Sequence, residues 1–180
     1  MRDEGGSCAD ALVLSSPWVD VTMSNPMIRQ HEQEDPVLSV AALEQSAQPY
    51  AGLADPRDPF ISPLFGDPTG LPPMLVYIGT REIFLWENRQ WAQRCYSTGT
   101  SCRLVEVPGG FHTVGSVTMV PEGRKAVQDQ ASFLTQHAAT MKDRLPSRAH
   151  REHRSAHGEG PPIALGGRYR KDGPVRKSAG

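Results

Sequence analysis

The sequence has few cysteines and no pattern among them. Cys8, Cys95 and Cys102 are the three in 180 residues, and none belongs to a Cys-x-x-Cys pair. An odd count without pairing signals argues against a disulfide framework, and a zinc site needs several soft ligands in close register. No metal or cofactor is therefore expected, and the thiols read as the reduced cysteines of a cytoplasmic protein. Long hydrophobic runs are missing as well. The apolar run at 11–14 is too short for a signal-peptide core or a membrane span, and Met1-Arg2-Asp3-Glu4 before it is mixed in charge. There are no internal repeats. Finally, no Gly-x-Ser-x-Gly pentapeptide occurs in the 180 residues, which excludes the strand–turn–helix elbow that this motif builds around a nucleophilic serine.

What is present is unevenly distributed. Residues 1–141 carry 9 Lys/Arg and 16 Asp/Glu, a balance of −7, whereas 142–180 carry 10 and 4, a balance of +6. The length suits one domain with a real core. An acidic domain at 1–141 followed by a basic tail at 142–180 is the expected organisation. Beyond about Leu145 apolar residues are scarce and no periodicity survives, so the tail reads as disordered. It attracts phosphate in principle. With Tyr169 as its single aromatic it lacks a stacking series, and it carries no nucleic-acid-binding signature.

Within the acidic part, strand and helix signals alternate. Ala11-Leu12-Val13-Leu14, closed by Ser15-Ser16-Pro17, suits a strand buried on both faces of a parallel sheet. Residues 18–26 read as a loop. Asp35-Pro36 supplies a cap and a first-turn proline for a short helix at 36–47. Residues 49–73 contain seven prolines, which points to an extended but ordered connection anchored by Phe60, Ile61, Leu64 and Phe65. A second strand follows at 74–78, a helix at 82–97 closed by Gly99 in a left-handed cap, and a third strand at 103–107. A last helix opens at Pro121 with Val127, Ala131, Leu134 and Phe133 on its apolar side. The rhythm is that of an α/β fold with about three parallel strands and flanking helices.

Two residues stand where such a sheet gathers its chemistry. Glu82 follows the second strand through Gly79-Thr80-Arg81, and His112 follows the third through Pro108-Gly109-Gly110-Phe111. Loops at the carboxyl ends of parallel strands collect on one edge, where ligands bind. An acid followed by a histidine is the order of the last two members of a Ser…Asp/Glu…His triad. Taken singly, each has a plain alternative: a solvent-facing acid favoured by a helix dipole, and a polar loop histidine. Ser15 and Ser16 read as strand-end residues.

Several segments together resemble the hormone-sensitive-lipase-like α/β-hydrolases, in their bacterial esterase and lactone-hydrolase branch. Ser16-Pro17-Trp18-Val19-Asp20-Val21-Thr22 resembles the segment after that family's sixth strand. Asp55-Pro56-Arg57-Asp58-Pro59 with Ser62-Pro63-Leu64 resembles the loop before its acid-bearing strand. Leu71-Pro72-Pro73, Gly79-Thr80-Arg81-Glu82 and Pro108-Gly109-Gly110-Phe111-His112 then match in order. The resemblance covers residues 8–137 and implies the C-terminal portion of an α/β-hydrolase fold. It implies carboxylic-ester hydrolysis, with His112 as the base and Glu82 as the acid that orients it, on a small acyl ester or lactone.

The same resemblance marks departures. The family's oxyanion segment and serine elbow precede the Ser-Pro-Trp segment, so the expectation is a truncated hydrolase that is inactive alone. Met1 to Gly5 resembles the end of the helix that follows the nucleophile. Trp86 stands near a position where the family carries a second acid. Half a sheet leaves an apolar strand edge unpaired, which favours self-association. The competing readings are a non-catalytic protein that binds acyl compounds or another hydrolase subunit, and a basic-tailed interaction protein.

Overall fold

The computed structural model describes residues 8–142 of the chain. The expectations for the tail and for the first residues lie outside the described residues. Three strands form one parallel sheet in the order β1 (Leu12–Ser15), β2 (Met74–Gly79), β3 (Cys102–Val107). Leu12 pairs with Met74 and Met74 with Cys102, so the three strands start level and end on the same edge.

β2 is central, and every residue of it is buried. Its alternation divides the core in two. Met74 packs with Val19, Leu64, Trp91 and Cys95, and Ile78 with Ile28, Ile83 and Leu85, on the side of α3 (Leu85–Ser97). Leu75 and Tyr77 face the other way, onto Val107, Val114 and Ala126 of the α4 side (α4, Pro121–Lys142). β1 is only half-buried, not enclosed on both faces as its composition suggests. It pairs through one edge, and among the described residues nothing pairs with the other.

The long connection from β1 to β2 holds α1 (Met27–His31), a 3-10 turn at Glu32–Glu34, α2 (Val40–Ala51) and a second 3-10 turn at Pro63–Phe65. α2 begins later than Asp35-Pro36 suggests. Its cap is Ser39, whose Oγ accepts from the Ala42 N–H at 3.3 Å, and it runs through Pro49 in its last turn. Leu64 anchors the proline-rich stretch at 3 % exposure, but Phe60 is 77 % exposed and anchors nothing. Gly99, at φ +72°, supplies the expected left-handed end of α3.

Of the apolar side expected for α4, Phe133 packs on the core while Val127 and Leu134 do not. Gly123 and Ala126 are buried, Phe133 packs beside them, and Gln130 donates to the Gly115 carbonyl at 2.8 Å. Val127 and Leu134, on the adjacent stripe, are 37 % and 45 % exposed. Small and amide residues let the helix approach closely, and an apolar-periodicity reading gives them no weight.

Candidate active site

The loops after β2 and β3 touch through main-chain atoms. The Thr80 N–H donates to the Val107 carbonyl and the Arg81 N–H to the Gly110 carbonyl, each at 3.0 Å. Thr80 Oγ1 accepts from the Gly109 N–H at 2.8 Å. A Cβ at Gly79 would lie 2.3 Å from the Gly110 oxygen, and one at Gly110 would lie 2.9 Å from the Val107 oxygen. Only glycine permits that approach, which accounts for Gly79 and Gly110; Gly109 has open space around it and instead takes a φ of +67°.

The approach brings Glu82 and His112 together. Glu82 is 1 % exposed, and its Oε2 lies 2.9 Å from His112 Nδ1. A carboxylate can only accept, so Nδ1 carries the proton and the neutral ring keeps a bare Nε2. The other oxygen, Oε1, accepts from the Gly79 N–H at 2.5 Å and from the Ser16 hydroxyl at 2.6 Å. Glu82 was expected to open α3, but the helix starts at Leu85. Outside the helical register, its carboxylate folds back onto its own turn.

Aromatic rings flank the imidazole. Phe84 meets His112 edge to face with centroids 5.8 Å apart, and Trp18 stacks on Phe84 at 5.8 Å. The His112 side chain keeps 21 % of its exposure, so the ring reaches the surface while its acid does not. Such an arrangement can accept a proton at Nε2 and stabilise the resulting imidazolium against a buried carboxylate.

Other contributors were not legible beforehand. Ser16, expected to end a strand and to open the Ser-Pro-Trp segment, joins the pair, and its Oγ also accepts from the Thr113 N–H at 2.8 Å. Asp35, expected to cap a helix, accepts from the Val37 and Leu38 N–H groups with one oxygen and from the Ile83 N–H at 3.1 Å with the other. It thereby tethers the residue after Glu82. The signal the sequence held for Ser16 was its place at the head of the Ser-Pro-Trp segment; for Asp35 it held none. Trp86 lies under the Arg89 guanidinium, 4.5 Å from the ring centroid, and beside His31. The buried acid at this turn is instead Glu87. It is fully buried, neither of its oxygens has a hydrogen-bond partner among the described residues, and burial pushes its carboxyl up to about 8, with the nearby Asp20 charge adding to the shift. Among the described residues, no group of three or more His, Cys, Asp or Glu is placed to hold a metal ion, and no helix is long and apolar enough to cross a membrane.

A family model described as alpha/beta hydrolase fold matches residues 1–116. The chain belongs to the α/β-hydrolase family. Its structural neighbours place it among the hormone-sensitive-lipase-like members. An acetyl-hydrolase of Streptomyces hygroscopicus is 33 % identical over 135 residues, spanning 74 % of this chain and 45 % of the relative. An esterase of Acinetobacter venetianus is 32 % identical over 128 residues, 69 % of this chain and 42 % of the relative. The crystal structure of EstE5 superposes with a TM-score of 0.72 at 27 % identity, over 77 % of this chain and 47 % of EstE5. A hormone-sensitive lipase from a metagenome library gives a TM-score of 0.72 at 26 % identity, over 76 % and 46 % of the two chains. This α/β-hydrolase chain thus spans less than half the length of the curated relatives it matches.

Proposed function

We propose that this chain carries the acid and the base of a serine carboxylic-ester hydrolase, acting on a small acyl ester or lactone. The nucleophilic serine comes from a segment outside these 180 residues. His112 Nε2 takes the proton of the serine hydroxyl as the oxygen attacks the ester carbonyl, then returns it to the leaving alcohol. Water repeats the sequence on the acyl-enzyme. Glu82 holds the Nδ1 tautomer and stabilises the imidazolium. The observation that carries this reading is the 2.9 Å contact between Glu82 and His112, at the ends of neighbouring strands in a member of this family.

The test begins with the native protein: its intact mass, any partner that co-purifies with it, and turnover of nitrophenyl acetate and butyrate. Hydrolysis is expected in the assembly that contains a Gly-x-Ser-x-Gly segment, and His112→Ala should reduce it to background. Turnover that survives His112→Ala removes His112 from the mechanism. A native chain of 180 residues with no such partner and no turnover favours a non-catalytic role instead. The half-buried, apolar outer edge of β1 supports association in either case. Size-exclusion with light scattering should find the isolated chain larger than a monomer.

A further inference from the structure

We propose that Ser16 is a positioning residue for the acid–histidine pair, its hydroxyl fixing the Glu82 carboxylate so that Oε2 is the oxygen left for His112. This rests on the reading of Glu82 and His112 as acid and base. Ser16 lies 66 positions from Glu82 and 97 from Thr113, yet touches both through one oxygen. Its single proton goes to Glu82 Oε1 at 2.6 Å, and a lone pair takes the Thr113 N–H, adjacent to His112, at 2.8 Å. One side chain therefore locks the acid and the backbone that carries the base.

The backbone at Ser16 points the same way. Its φ is +48°, a region that non-glycine residues rarely occupy, and its N–H continues the sheet ladder to the Tyr77 carbonyl at 2.8 Å. Glycine would adopt this conformation without strain but has no hydroxyl. Threonine would add a branch at Cβ in a position that is 5 % exposed. Without Oγ, Glu82 Oε1 keeps only the Gly79 N–H, and the terminal torsion of a glutamate is broad enough for the carboxylate to swing. The geometry also excludes Ser16 as a nucleophile, since its proton is committed to the acid and not to His112 Nε2.

The test uses the full chain and the His112 Nδ1 proton, observed by NMR at low temperature and assigned by its loss in His112→Ala. Ser16→Gly relieves the positive φ, so amide dispersion and the melting temperature should hold or rise. The Nδ1 proton should nevertheless exchange with water at least tenfold faster, and Ser16→Cys, a weaker donor, should fall between. An unchanged Nδ1 proton in Ser16→Gly overturns the proposal, and so does a wild type without the resonance. Unfolding of both Ser16→Gly and Ser16→Ala also overturns it, by assigning the residue to the fold. Failure of the hydrolase reading shows separately, as absent ester turnover beside an Nδ1 proton that responds as expected.

Discussion

Two buried glutamates five positions apart in sequence, Glu82 and Glu87, meet opposite fates. Glu82 is 1 % exposed and accepts hydrogen bonds from Gly79, Ser16 and His112. Glu87 is fully buried, has no hydrogen-bond partner among the described residues and lies near the buried Asp20. A buried carboxylate without donors or a counter-charge is costly, so the second group holds its proton up to about pH 8. Burial is common to both. The difference is made by what surrounds them: the first glutamate sits where three loops converge, and the second faces the interior of a helix–loop contact.

The comparison can be broken by converting each to its amide. Glu82→Gln should slow ester hydrolysis in the serine-containing assembly by about 10³–10⁴-fold, because the amide no longer enforces the Nδ1 tautomer. Glu87→Gln should leave turnover within about twofold, as read by kcat on nitrophenyl butyrate. The second glutamate should dominate a different measurement. Its folded-state pKa, about 8, lies above its ordinary 4.5, so the folded chain binds the extra proton between those values. Its contribution is fully present below about pH 4.5 and is lost as pH rises towards 8, at about 1.4 kcal/mol per pH unit. Urea unfolding at pH 5 and pH 8 should show that loss in the wild type and a flatter profile in Glu87→Gln. A smaller effect sharpens the contrast from the backbone side. Gly79→Ala should cost about 1–3 kcal/mol, because its Cβ meets a carbonyl that cannot move without the histidine loop.

The acid and the histidine were legible because each follows a short apolar run and a glycine-containing turn. The three strands were legible for the same reason, and β2 and β3 extend beyond their expected ranges by a residue each. Ser16 was not, because its role arises only when β1 lies beside β2 in parallel register and the loop after β3 folds over both. Asp35 misled for a related reason. Its side chain does cap a turn, as its neighbour Pro36 suggests, but the helix starts at Val40 and its second oxygen serves the segment after Glu82. On α4 the stripe of Val127 and Leu134 outweighs Gly123 and Ala126 in any hydrophobic count. Close approach to the 3-10 turn at Val114–Ser116 selects for smallness instead, with a Cβ at Gly123 lying 1.9 Å from the Val117 oxygen.

The main-chain contact between Gly79 and Gly110 has a bearing on how such a protein can change over generations. The separation of Glu82 and His112 is set there by two backbones in contact. Substitutions at Phe84 or Trp18, whose rings flank the imidazole, can therefore alter its surroundings while Glu82 and His112 stay in place. A lineage built this way can vary those surroundings one residue at a time, provided it leaves those two glycines alone.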